Sequence, residues 1–500
     1  MSPSDARLSP YPVAAAALSA LAIAVLLLPG APGMGDSAEL TMALALAGIA
    51  HPTGYPLYVM VGHLFVNAAH TLGASWVLAA NLWSAVGAAV AAGAFARLVQ
   101  HVAAACQEET SRSGRPPHSA AACAVAIAFP VAALMLHPVW ILSATIAEVY
   151  SWSNACLLLA AAFLIGQLRQ LSGAQASHDW MSALIWGLLC GLCGTRHATS
   201  VLFIVPMSVA LVIARARARR SLAAWAMVVV AAALLPLASY GWIAWRAAHP
   251  AAYQWPVSPT FESFLLHVRG ANYAGLLGHF APGREEWSLI RSTLMPWIVP
   301  GLLLGSILTT RVTAGPTRWG LLALFAGAVL QLTFIFSYGV HDSGLYFLPV
   351  LMVSLLASTP LLLWLARRAS IVAAIAAASA VLVVLATTSI PRALREREEL
   401  TRLDLEFRGA MQSFPFDEGI VLWADDHFHR FLVLQLLEGQ RRGITFENPD
   451  MLVWPPRREE FRRRFGFDPL EGLRFRSPAD LERISDVIRA RAQVPVSVIH

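Results

Sequence analysis

Residues 35–58 read GDSAELTMALALAGIAHPTGYPLY, and the reading of this stretch decides the rest of the chain. Asp36 and Glu39 are three apart, which on a helix places both on one face with about 5–6 Å between Cβ atoms. The stretch directly follows the first long apolar segment, so Asp36 lies at the mouth of a membrane span. A carboxylate there can keep its charge while facing a partly dry cavity. The helical pattern runs to about Ala50 and stops at His51-Pro52, and Gly54 and Pro56 add two further breaks. The segment from His51 to Tyr58 is therefore expected to be a shaped turn. A plainer reading has Asp36 and Ser37 capping a short interfacial helix, with Glu39 completing a capping box. A cap alone does not need the elaborate turn beside it.

The composition excludes an ordinary soluble protein, since 57% of 500 residues are hydrophobic and only 13% charged. It is that of a polytopic membrane protein. Of the 66 charged side chains 37 follow Ile390, leaving 29 for the first 390 residues. Two domains are expected, a membrane domain over 1–390 and a polar domain over 391–500. Every basic residue is arginine, so phosphate binding would fall to Arg forks, His, hydroxyls or backbone amides. The five cysteines all lie in or beside apolar segments, which argues against a disulfide framework. Cys190 and Cys193, on an apolar helix, read as small packing residues.

Apolar segments mark eleven spans, at about residues 11–29, 76–97, 119–137, 149–168, 181–194, 197–213, 221–243, 288–308, 319–337, 345–365 and 370–389. The first could be read as a signal peptide, but a retained anchor keeps the Asp36 segment attached to the span that positions it. Residues 57–72 are ambiguous, being apolar yet containing His63, Asn67 and His70. Arginine placement decides. If this segment lies along the surface or dips in and returns, Arg97, Arg112, Arg115, Arg169, the run 215–220, Arg311, Arg318, Arg367 and Arg368 all face the cytoplasm. The polar domain then lies outside, with the Asp36 segment, the loop at Glu148, the Arg196-His197 turn, the loop 246–286 and the turn 338–342. Such one-sidedness suits an enzyme working at one membrane face; a transporter more often buries polar groups at mid-membrane.

In the polar domain, the strand 419–423 ends in Ala424-Asp425-Asp426, with a helix, a turn and a second strand from Gly443 after it, giving a small α/β unit. His427 and His429 beside the aspartates suggest a metal cluster, whereas the carboxylates equally suit a helix cap.

Taken together, the Asp-x-x-Glu pair and His51-Pro-Thr-Gly-Tyr-Pro-Leu-Tyr58 resemble the membrane glycosyltransferases of the C superfold, in the protein O-mannosyltransferase-like branch. The resemblance implies an all-α polytopic membrane domain, here with a small C-terminal α/β exterior domain. It also implies a sugar, mannose-like or similar, moved from a polyprenyl-phosphate donor to a hydroxyl on protein, lipid or glycan. The family pattern places the catalytic carboxylate at Asp36, with Glu39 beside it. Ala147-Glu148-Val149-Tyr150-Ser151 matches a further family pattern and implies that Glu148 and Tyr150 bind sugar or acceptor. His197 matches a third pattern, and with Arg196, His51 and Tyr55 is assigned to the donor phosphate; the match rests on His197 and not on Arg196. Tyr338, His341 and Asp342 are assigned to sugar or acceptor by a comparable Tyr, Asp, aromatic-Leu-Pro arrangement. Each also has a structural reading, as a cap, a headgroup anchor or an interfacial charge. No cofactor and no nucleic acid is expected, membrane lipids surround the chain, and two carboxylates without a nearby His make a thin metal site. The setting is a bacterial-type inner membrane with a periplasmic or exterior site. A transporter or flippase of lipid-linked sugar is the alternative.

Overall fold

Long uncharged runs can satisfy their backbone groups within lipid only as helices, and the apolar part of the chain is helical throughout its described residues. The computed structural model describes residues 8–171, 179–218, 225–279, 283–313, 315–339, 343–471, 473 and 479–499. The chain begins with α1 (Tyr11–Leu27), the short α2 (Ser37–Leu46), α3 (Pro56–Thr71) and the long α4 (Trp76–Arg112). Then come α5 (Ala120–Met135), α6 (Pro138–Thr145), α7 (Tyr150–Gln170), α8 (Asp179–Gly194), α9 (Val201–Arg217) and α10 (Trp225–Ala248). The short α11 (Phe261–Val268) and α12 (Arg284–Leu289) lead to α13 (Met295–Val312), α14 (Gly315–Ile335), α15 (Leu348–Leu356), α16 (Ser358–Arg368) and α17 (Ile371–Ser413).

Among the described residues, eight helical stretches are long and apolar enough to cross a bilayer, nine when α5 and α6, bent by 62° at their junction, count as one. The expected eleven add α1 and α8, which are apolar but shorter. The protein is an integral, multi-pass membrane protein. Small residues let the helices approach closely, as where Ala16 and Ala20 of α1 share a buried cluster with Ala88, Ala91 and Ala92 of α4.

α17 runs unbroken through Pro391 to Ser413, so the expected domain boundary at 390/391 falls inside a helix of about 65 Å. The polar unit that follows holds β1 (Gly419–Trp423), α18 (Phe428–Leu436), β2 (Ile444–Glu447), α19 (Pro455–Phe465), α20 (Ala479–Arg491) and β3 (Val496–Ile499). Its sheet is parallel in the order β2-β1-β3, with Gly419 opposite Ile444 and Ile420 opposite Val496. Phe407, Phe428, Phe431 and Phe446 form one apolar cluster with Ala38 and Met42 of α2 and Val77 of α4. The polar unit thus packs on the back of the Asp36 helix. Arg430 of α18 reaches further, donating from Nη2 to the carbonyls of Pro32 at 3.0 Å and Gly33 at 2.7 Å.

Candidate functional site

α2 is too short to hold itself, and its position comes from its neighbours. At its start, Asp36 occupies the cap position without making a side-chain capping bond. The Ser37 hydroxyl instead accepts from the Gly33 N–H at 2.9 Å, so the capping reading of Asp36 and Glu39 is not realised. At the other end, Arg246 of α10 donates from Nε to the Ala47 carbonyl at 2.7 Å and from Nη2 to that of Leu46 at 3.1 Å. A cation there meets both the orphan carbonyls and the negative end of the helix.

The chain then turns back over α2. Gly54 and Tyr55 both adopt positive φ, +85° and +40°. A Cβ at Gly54 would lie 2.6 Å from Ile243 Cδ1 and 2.8 Å from His267 Nε2, so glycine is required there for space as well as for conformation. This reversal carries His51 onto Glu39. The His51 N–H donates to Glu39 Oε1 at 2.9 Å, and the ring Nδ1 lies 2.5 Å from Oε2. On the other side of the ring, Nε2 lies 3.5 Å from Asp36 Oδ2.

The two carboxylates therefore differ in kind. Glu39 has a side chain only 1% exposed and both its oxygens are occupied by His51, whereas the Asp36 side chain is 52% exposed. Burial raises the Glu39 carboxyl, opposed by His51. Burial alone would lower the His51 imidazole, but the charges of Asp36 and Glu39, with the Glu39 hydrogen bond, more than reverse this and hold it at about 10. The pair keeps a proton on His51 through the neutral range. Asp36, Glu39 and His51 present ligand atoms within 4.8 Å of one another, so a histidine does join the carboxylates, contrary to the sequence reading. As arranged the three form an ion-pair cluster, and coordinating a cation would require His51 to surrender its proton.

Beside this cluster stands a wall of rings. Tyr55 stacks on His197 with centroids 6.1 Å apart; His197 meets Tyr150 at 5.5 Å and Tyr346 edge-on at 5.4 Å. Tyr338 meets Tyr346 at 6.0 Å, and Trp255 meets His51 at 6.3 Å. His197 is lowered to about 4 by burial, with a smaller effect from the charge on His51. It is a neutral ring whose Nδ1 accepts from the Thr199 N–H, which leaves Nε2–H as a donor. Arg196 lies under the wall, 5% exposed, with its guanidinium 5.5 Å from the Trp152 ring centre and, among the described residues, no hydrogen bond at Nε or Nη1.

Glu148 is buried, and its backbone is fixed by Ser84 of α4, whose hydroxyl accepts from the Glu148 N–H at 3.0 Å. Asn81, one turn earlier, donates to the carbonyls of Pro29 and Ala31 and accepts from the Ala147 N–H. One face of α4 thus ties the loop before Asp36 to the loop bearing Glu148. The charge of Glu148 acts on His51 and Tyr58.

Of the residues singled out in the sequence, Asp36, Glu39, His51, Tyr55, Glu148, Tyr150, Arg196, His197 and Tyr338 converge on one end of the helix bundle. His341 and Asp342 lie outside the described residues. Tyr346 and Trp255 also join the site, as do Arg246, Asn81 and Ser84, which were not read from sequence as site residues. Only Tyr346 and Trp255 carried a signal, as aromatics in loops on the same side. The Asp425 cluster lies between β1 and α18, and its Asp426 and His429 are close enough to Asp36 to feel its charge. Asp425 Oδ1 accepts from the His427 N–H at 2.7 Å, and His429 donates from Nδ1 to the Asp426 carbonyl while its Nε2 accepts from the Tyr253 hydroxyl at 3.0 Å.

Comparison with known proteins adds two findings. Residues 36–221 match the family described as protein O-mannosyl-transferase TMEM260 N-terminal domain. The fold is similar to that of ArnT from Cupriavidus metallidurans bound to undecaprenyl phosphate, with 14% identity and a TM-score of 0.53 over 87% of this chain and 89% of that one. The same protein in the apo state matches at 12% identity and a TM-score of 0.50, over 86% of this chain and 84% of that one. The architecture is that of the C-type membrane glycosyltransferase fold, with a three-stranded sheet at its C-terminal end. No curated protein matches the chain.

Proposed function

We propose that this protein is a membrane glycosyltransferase that moves a hexose, mannose or a similar sugar, from a polyprenyl phosphate to a hydroxyl acceptor in a single displacement. The observation that carries the reading is the pairing of an open carboxylate, Asp36, with a buried His51–Glu39 pair inside the stretch that matches the O-mannosyl-transferase family. The reaction asks for two things, removal of the acceptor proton and stabilisation of the departing phosphate. Asp36 takes the proton. Glu39, with both oxygens occupied, positions His51, and the imidazolium supplies fixed positive charge beside the reacting centre. His197 and Tyr55 offer donors for the phosphate, and the remaining rings suit sugar faces.

Arginine placement supports an exterior site. α4, α7 and α9 all start at the site and end in Arg112, Arg169 and Arg217, which the positive-inside tendency puts in the cytoplasm. The undecaprenyl phosphate of the ArnT structure supports a lipid-phosphate donor of that class. Protein, lipid or glycan hydroxyls are the acceptor classes. Purified protein in lipid, given a short-chain polyprenyl phosphomannose, is expected to release polyprenyl phosphate only with acceptor present. Movement of intact donor across the bilayer without release would make the protein a flippase.

A further inference from the structure

A cavity of about 530 Å³ lies between α17, the α5–α6 junction and the start of α13. One end is apolar, lined by Val381, Val384 and Leu385, and the other carries Ser389, Arg392 and His137. The span from Val381 to Arg392 covers about 16 Å of helix. The charged residues of α17 begin at Arg392, so the groove has an oily end among the spans and a polar end where the helix leaves them.

Two buried atoms at the polar end have no protein partner among the described residues. His137 is 1% exposed, and its Nε2 lies 3.2 Å from the Thr293 carbonyl. A carbonyl only accepts, so Nε2 carries the proton and Nδ1 holds a bare lone pair; no hydrogen bond reaches it. The Ser389 hydroxyl, in a residue 2% exposed, is likewise unpartnered. Leaving such buried groups unpaired costs stability, which a ligand that satisfies them would recover. Arg392 has Glu396 at 3.9 Å, the loosest of ion pairs. The groove therefore asks for an anion at Arg392, a hydrogen-bond donor at His137 Nδ1 and an apolar chain below.

We propose that it binds one membrane phospholipid whose headgroup joins a phosphate to a primary ammonium, as in phosphatidylethanolamine. The phosphate accepts from Arg392 and Ser389, the ammonium donates to His137 Nδ1, and an acyl chain lies along Val381, Val384 and Leu385. Such a lipid would brace α17, the helix that joins the membrane bundle to the polar unit. Phosphatidylcholine has the same charges but no N–H to give, which sets it apart as a probe. The proposal is independent of the sugar-transfer reading.

The test uses the full-length protein in phosphatidylcholine nanodiscs containing a minor share of phosphatidylethanolamine, with retained lipid counted by native mass spectrometry after washing. One phosphatidylethanolamine is expected to be retained well above its bulk share. Arg392→Gln, and Val384→Trp, which fills the groove, each lower retention about tenfold, and Ser389→Ala, the mildest change, about fivefold. Retained lipid that mirrors the bulk, or retention unchanged in Arg392→Gln and Ser389→Ala, overturns the proposal. So does finding that a polyprenyl phosphate, when supplied, takes this groove in preference.

Discussion

Two clusters of aspartate, glutamate and histidine stand in this molecule, and they differ in what the surrounding structure does with them. At the strand end, Asp425, Asp426 and His427 bond within their own turn and the Asp425 side chain is 45% exposed, while the buried His429 reaches across to Tyr253. In the first loop, Asp36, Glu39 and His51 meet across a chain reversal, with His51 and Glu39 buried and Asp36 left open. The same residue types make a local turn in one place and a charged, partly dry centre in the other. What separates the two is the acid–histidine pair, which is buried and joined across a reversal in His51–Glu39 but local and open in His427–Asp425.

The largest effect that tests this contrast is on turnover. Asp36→Asn, nearly isosteric, is expected to slow sugar transfer about 10²- to 10⁴-fold with expression and membrane insertion retained. Near-full activity would move the base elsewhere, with Glu148 next in line. Glu39→Gln is expected to slow transfer less, while lowering stability by about 1.5–3 kcal/mol in thermal or denaturant unfolding. An equal loss of rate with no loss of stability would make Glu39 part of the proton transfer itself.

The His51 pair also predicts a pH dependence. The folded state holds the His51 proton to about 10, whereas an unfolded histidine releases it near 6.5. Between those values the folded state binds the extra proton, so its stabilisation is complete below about 6.5 and lost as the pH rises towards 10. The melting-temperature gap between wild type and His51→Gln is expected to narrow over that window; a constant gap would remove the imidazolium from the account.

Smaller effects follow. His197→Ala is expected to raise the half-saturating donor concentration about tenfold with a lesser change in turnover, because a neutral donor to the phosphate serves ground and transition states alike. Asp425→Ala, in the contrasting cluster, is expected to cost about 1 kcal/mol of stability, measured by unfolding, and to leave transfer within about twofold. A large rate loss there would erase the distinction between the clusters.

Much of the fold was legible because its signals are local. The apolar runs marked the helices, and β1 begins and ends where its apolar residues do, at Gly419 and Trp423. Pro and Gly signalled the break after α2 and the turn at His51, but the helix, read to about Ala50, ends at Leu46, and the turn, read to Tyr58, gives way to α3 at Pro56. Pro391 misled, since a proline removes one N–H but a long helix with support on both sides can continue through it. β3 was not read, being a four-residue strand whose partner lies far back in the chain. At the site, the Glu39–His51 contact was hidden because it joins residues twelve apart across a reversal. Tyr346 and Trp255 reach the cluster only through packing of distant helices and loops. Spacing can show which residues share a helix face, but not which loops that packing brings together.

The central claim is that Asp36 removes the acceptor proton while the hydroxyl displaces polyprenyl phosphate directly from the sugar carbon. NMR of the product made from a donor of defined anomeric configuration tests this most directly. Direct displacement predicts a linkage of inverted configuration. Retention would contradict the account, because it would require a protein carboxylate to bond to the sugar carbon first, making Asp36 or a neighbour a nucleophile instead of a base.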